Sequence, residues 1–184
     1  MPKLQNVDFY YGAALNMIFR YNKDAMTSMV ETTDYKQVYK LTTNKSKQDF
    51  IIIMKHSSPN NRIKTDYMSW QFKLSDIDRE CLRKYHNEHL PTFMMFVCLS
   101  ENLSGSEILI VNYEEIEPII DKNSIIIGIE KYKNYALMFI EKAKTNALHI
   151  PRNRIEQPFD EILENVIKLN PYHYCPICGT KICM

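Results

Sequence analysis

Glycine is scarce in this chain, with four in 184 residues, and tryptophan scarcer, with one. With so few glycines there is no GxGxxG fingerprint and no P-loop, and no GxSxG elbow is present either. No apolar run approaches the roughly 18 residues of a membrane-spanning helix. The opening "MPKLQNVDFYYG" has no charged segment leading into an apolar one, so no secretory signal is expected. Charge of neither sign dominates: 23 Lys and Arg stand against 22 Asp and Glu, a net +1, which is no global signature of a nucleic-acid binder. A disulfide framework is missing too. The five cysteines are an odd number and three of them crowd the last ten residues, which points to a reducing cytoplasm and metal ligation.

What is present is enough apolar sequence, 45%, for one real core. "DFYYGAALNMIFRY" (8–21) predicts a helix capped by Asp8, with Ala14, Leu15, Ile18 and Phe19 inward. "DYKQVYKLTT" (34–43) and "DFIIIMK" (49–55) predict strands; isoleucine on both faces of the second marks a central strand covered on both sides. "YMSWQFKL" (67–74) alternates, with Trp70, Phe72 and Leu74 on one face. "SDID" then reads as a capping box, Ser75 the cap and Asp78 its reciprocal acid, opening a helix to about His89 with Ile77, Cys81, Leu82 and Tyr85 inward.

Strands follow at 92–99 and 107–113, a short helix limited by Pro118, a hairpin across "KN", a short strand "ALHIP", and an amphipathic helix at 159–169. The expected fold class is α+β: a mixed, mostly antiparallel sheet of about six or seven strands flanked by three or four helices, with a small C-terminal knuckle. The composition shift at "PRNRIEQP" divides the chain into a core domain, 1–158, and a C-terminal helix plus tail, 159–184.

The near-zero net charge hides segregation. Residues 34–73 carry eight Lys/Arg against three Asp, residues 74–121 three against ten acids, and residues 122–154 seven against two. If the two basic, strand-rich blocks lie side by side, they present a positive face to a phosphate backbone; otherwise the lysines simply guard strand edges. Within the second block Lys131, Arg152 and Arg154 are the best anion contacts. Arg152 and Arg154 stand two apart and can fork a phosphate, or else form structural ion pairs with Glu156 or the acidic block.

The tail "HYCPICGTKICM" holds Cys175, Cys178 and Cys183 with His173 adjacent. In a CxxC turn two thiolates reach one ion, and Pro176 and Gly179 suit the turn's geometry. "CPICG" resembles the knuckle of zinc ribbons and rubredoxin-like modules. The resemblance implies a structural zinc held by Cys175, Cys178 and Cys183, with His173, His149 or a second subunit as the fourth ligand. The alternative is three unmetallated thiols. The second CxxC of those modules is absent.

Asp49 and Lys55 fall on one face of a strand, with Glu31 upstream, a set similar to restriction-endonuclease-like nucleases. That resemblance implies Mg²⁺ chemistry, yet Ile53 stands where such a nuclease carries an acid. "HNEH" places His86 and His89 on one helix face around Glu88, a second loose metal pattern. Cys81 and Cys98 read as core residues. Heavy use of Ile, Asn and Lys suggests an A+T-rich genome, and the ordered set "GAAL", "IIIMK", "WQF", "FVCLS", "PRNR" is similar to small uncharacterised proteins of low-GC bacteria and phages, with no function implied. The expectation is a cytoplasmic, non-catalytic binding protein with a structural zinc site and a protein or nucleic-acid partner, homodimeric or not, with no membrane partner; the alternative is a divergent nuclease using Glu31, Asp49 and Lys55.

Overall fold

The computed structural model describes residues 6–33, 36–43, 49–59, 66–101, 105–140, 147–159, 161–162, 172–174 and 181–183. Helix α1 (Asn6–Tyr21) leads into strands β1 (Met26–Thr33), β2 (Lys36–Thr42), β3 (Asp49–Ser57) and β4 (Tyr67–Lys73). Helix α2 (Asp76–Asn87) is followed by β5 (Thr92–Cys98), β6 (Glu107–Asn112) and the single turn α3 (Tyr113–Ile116). Then come β7 (Ser124–Glu130), β8 (Tyr135–Phe139), β9 (Leu148–Pro151) and a 3₁₀ turn, Arg152–Glu156. Strands β10 (Tyr172–Tyr174) and β11 (Lys181–Cys183) form a separate antiparallel hairpin.

The class is α+β, with strands mostly antiparallel, but they divide into two sheets rather than one. The first runs β1-β2-β3-β5-β6 and the second β4-β7-β8-β9. Among the described residues only β3 and β5 pair in parallel, across the connection that holds β4 and α2. The expected central strand is β3: Phe50, Ile52 and Met54 face one way and Ile51 and Ile53 the other, all buried. Strand β1 was not foreseen, because "MTSMVETT" lacks clean alternation and carries three of its apolar side chains exposed.

Each face of the first sheet has its own cover. One face packs Tyr39, Leu41, Phe50, Ile52, Phe93 and Met95 against Tyr11, Ala14 and Ile18 of α1. Phe159 closes that layer, its ring centroid 6.0 Å from Phe50 and 5.3 Å from Phe93, and its N–H donates to Asn22 Oδ1 at 2.9 Å. The opposite face packs Val38, Ile53, Met94 and Phe96 against Trp70, Phe72, Ile125 and Ile127 of the second sheet and Leu82 and Tyr85 of α2. Phe72 and Phe96 meet edge to face at 4.7 Å across the two sheets. Burying each such large side chain contributes about 1.5–3 kcal/mol.

Several local expectations shift. Asp8 lies in the first turn of α1 rather than at its cap, and Tyr11, not Phe19, completes the buried stripe. Phe159 and Ile162, at the start of the expected last helix, belong to the core shared with α1. Residues 163–171 and 175–180, including Cys175 and Cys178, lie outside the described residues. Among the described residues no helix is long and apolar enough to cross a membrane.

Candidate functional site

Near the end of β3, Lys55 follows Ile51 and Ile53 onto the face that looks towards α2 and the second sheet. Strand β2 begins at Lys36, one rung beyond the Gln37–Met54 pair, so the register sets Lys36 beside Lys55 on that face. Both are buried, at 2% and 8% exposure. Two buried ammonium groups side by side need counter-charge, since desolvating each costs several kcal/mol.

Two carboxylates answer. Asp78 Oδ2 accepts from Lys55 Nζ at 2.5 Å, and also from Ser75 N and Ser75 Oγ, each at 2.8 Å. Lys55 Nζ donates a further bond to Lys73 O at 2.8 Å. Lys36 Nζ lies 2.9 Å from Glu31 Oε1 on β1. The capping box read from the sequence forms as expected, Ser75 Oγ receiving the Asp78 N–H. Its acid therefore does two jobs: it caps α2 and neutralises a lysine from the sheet.

Arg79, one residue on, is also buried. Its Nε donates to Ile120 O at 3.0 Å, one terminal nitrogen to Asn123 Oδ1 at 3.0 Å, and the other pairs with Asp76. Around these groups opens a cleft of about 1000 Å³ at the N-terminus of α2. Its cations are Lys36, Lys55, Lys73 and Arg79; Asp76 and Asp78 are its acids; Phe72, Leu74 and Ile77 give it apolar walls. The first-turn amides of a 12-residue helix add positive potential at the same end.

Protonation follows from these surroundings. Burial by itself would raise the Asp78 carboxyl, but hydrogen bonds from Lys55 and the Ser75 N–H, with the Lys55 charge, hold it below the ordinary aspartate value. His56 also lines the cleft, its ring against Tyr10 and Tyr11, and its Nδ1 lies 3.1 Å from the Tyr11 hydroxyl. Burial and the neighbouring Lys55 charge lower its pKa, so the imidazole is neutral at pH 7. Burial lifts the Tyr11 hydroxyl well above its usual range.

The residues singled out from the sequence scatter. Glu31 and Lys55 both reach the cluster, through Lys36 and Asp78. Asp49 does not: six residues along a strand put its Cα about 20 Å from that of Lys55, and it pairs with Lys40 at 2.5 Å and accepts from Thr42 Oγ1 at 2.6 Å. Among the described residues no three His, Cys, Asp or Glu side chains come close enough to hold a metal ion. His86 stacks flat on Tyr113 at 3.8 Å. His89 takes a left-handed φ of 59° and ends α2, its N–H bonded to His86 O while Leu90 N–H reaches Tyr85 O.

Among the described residues the hairpins of the two basic blocks lie in different sheets. Hairpin β2–β3 lies in the first sheet and β7–β8 in the second. Lys36, Lys40 and Lys55 of the first block each hold a carboxylate. Arg154 grips both oxygens of Glu115, at 2.7 and 2.9 Å, and Ile110 O at 3.0 Å. Arg152 grips both oxygens of Glu107 and the Lys133 carbonyl. The forks expected to take a phosphate are filled by the acidic block, while Lys131 is exposed in the β7–β8 turn with its Nζ 5.6 Å from the Tyr132 ring. In the tail, the β10–β11 register sets His173 opposite Ile182 and Cys183 opposite Tyr172. His149 stacks on Tyr135 at 4.3 Å.

No family model, curated protein or solved structure matches the chain. The site therefore rests on geometry. Lys36 and Arg79 were missed in the sequence, and Asp78 was seen only as a cap. The signal was there in the spacing: Asp78, Cys81, Leu82 and Tyr85 fall on one helical stripe, and Lys36 shares parity with Val38. Ile77, expected inside, is 63% exposed at the cleft instead.

Proposed function

We propose that the protein is a binding protein, and that the cleft at the N-terminus of α2 takes a small organic anion, a phosphate monoester first among them. The observation that carries this is the unequal burial of the Lys36–Glu31 pair. The lysine side chain is 3% exposed and its carboxylate partner 40%. Glu31 is the counter-ion that an incoming anion displaces most easily, because it returns to water while Asp78 stays buried with Lys55. The helix amides and Arg79 strengthen the attraction, and Leu74 and Ile77 receive the organic part. The setting we assign is a reducing cytoplasm, in keeping with the buried free thiols of Cys81 and Cys98.

The test is thermal unfolding and calorimetric titration with inorganic phosphate, a nucleoside monophosphate and succinate. Saturable binding that weakens with salt and is lost in Lys36→Met supports the reading; no heat and no shift with any of the three sinks it. A nucleic-acid partner offers the same phosphate chemistry, so retention of DNA or RNA oligomers at low salt forms a second arm. The proposal is of binding without hydrolysis. Mg²⁺- or Mn²⁺-dependent cleavage that disappears in Lys55→Ala would replace it with the nuclease alternative.

The zinc clip remains a separate proposal for the tail: Cys175, Cys178 and Cys183 with His173, His149 or a second subunit completing the set. The spacing of the three cysteines, with Pro176 and Gly179 suited to a CxxC turn, is what supports it. Elemental analysis of protein purified without added metal, beside Cys175→Ser/Cys178→Ser, decides it: zinc in the parent and none in the variant is expected.

A further inference from the structure

The edges of the two sheets are not treated alike. At β6 the 3₁₀ turn covers the edge: Arg154 takes the Ile110 carbonyl and Glu115, and Arg152 takes Glu107. At β4 the carbonyls of Gln71 and Lys73 accept from Ser57 Oγ at 2.9 Å and Lys55 Nζ at 2.8 Å, and Pro59 bridges to Trp70. At β9 the strand is four residues long and ends in a proline. These are the usual ways of blunting an edge that would otherwise recruit another strand.

Among the described residues strand β1 has none of them except a bulge between Met29 and Glu31. It is eight residues long, lies at the end of the five-stranded sheet, and contains no lysine, arginine or proline. Of the eight large apolar side chains exposed among the described residues, three are here: Met26 at 65%, Met29 at 52% and Val30 at 48%. Its one charged residue, Glu31, is engaged by Lys36. An exposed apolar edge with so little charge is a template for a further strand.

We infer that β1 pairs with β1 of a second copy, antiparallel about a two-fold axis, continuing the sheet from one subunit into the next. The sequence is self-complementary in that arrangement, as a two-fold contact requires. With the axis between Met29 and Val30, Met29 of one chain stands opposite Val30 of the other, and Glu31 opposite Ser28. Apolar side chains meet at the centre and no like charges oppose each other. A strand from an unrelated chain would need a complementary sequence, whereas a second copy carries one by construction.

The experiment is sedimentation equilibrium of the full chain across the micromolar range, with Met29→Lys/Val30→Lys alongside. Both positions are exposed, so the variant should keep the parent's unfolding midpoint under dilute conditions. The expected result is a concentration-dependent dimer in the parent and a monomer in the variant, with slowed amide exchange along 26–33 of the parent at high concentration. A parent that is monomeric throughout overturns the inference. So does a dimer that persists in the variant, since it places the contact elsewhere. A variant that fails to fold is replaced by Met26→Lys, with the same two outcomes.

Discussion

The two faces of the five-stranded sheet are built from the same strands by different physics. Towards α1, the buried side chains of β2, β3 and β5 are apolar apart from Gln37, and the helix contributes Tyr11, Ala14 and Ile18. Towards α2, the same strands bring Lys36 and Lys55 inside; Asp78 of the helix answers Lys55 and Glu31 of β1 answers Lys36. The first face is a core whose stability follows area and shape. The second is a core at one end and an ion cluster at the other. A fold that needed only stability would gain nothing from the second, because a well-packed apolar replacement of a buried ion pair is often as stable or more so. The lesson is that the charges are kept where the cleft is.

The largest expected effect breaks the charged face alone. Asp78→Ala strands Lys55 in the interior and removes the reciprocal half of the α2 capping box, at a cost of about 3–5 kcal/mol in urea unfolding. Lys55→Met in the same background should recover part of that loss, because it removes the uncompensated charge. The parent's pH dependence carries the same signature. A carboxyl held below its ordinary value stabilises the fold fully above about pH 4, and the contribution is lost as pH falls through the depressed native value. Acid titration of unfolding free energy should therefore show a slope there that flattens in Asp78→Ala.

On the apolar face, Phe50→Ala should cost nearly as much, about 3–5 kcal/mol, by opening a cavity against Phe93 and Phe159. Its cost should stay constant as pH falls below about 4, through the range in which Asp78 takes up its proton. If both substitutions show equal pH dependence, the contrast between the faces is wrong.

Arg154→Ala probes an intermediate case, a partly buried fork holding Glu115 and the Ile110 carbonyl, and should cost about 1.5–3 kcal/mol. The smallest effect belongs to an exposed pair. Asp49→Asn leaves Lys40 in water and should change stability by less than about 1 kcal/mol at moderate salt. It should leave the anion titration unchanged, which separates Asp49 from the cleft that Lys36 and Lys55 line.

Much of the architecture was legible along the chain. Continuous apolar runs marked β3 and β5, alternation marked β4, a Ser-x-x-Asp box marked the start of α2, and the mixed order of strands and helices marked an α+β class. Those readings succeed because they depend on neighbours a few residues apart. The same local reasoning put Ile77 inside and left Asp78 as a cap, because it weighed hydropathy above the stripe of Cys81, Leu82 and Tyr85 that carries Asp78 inward. It also spread the lysines of 34–73 over a surface, since a count of charges does not say which carboxylate each will meet.

By itself the sequence determined the class, the central strand, the capping box and the absence of any glycine-built phosphate loop, all matters of local geometry and composition. Tertiary structure decided the division into two sheets, the capture of Arg152 and Arg154 by Glu107 and Glu115, and the gathering of Lys36, Lys55, Asp78 and Arg79 around one cleft. The reason is range. A buried charge is tolerable only beside its partner, and these partners lie 23 residues apart for Lys55 and Asp78 and 39 for Arg154 and Glu115. Only the folded chain brings such distances together.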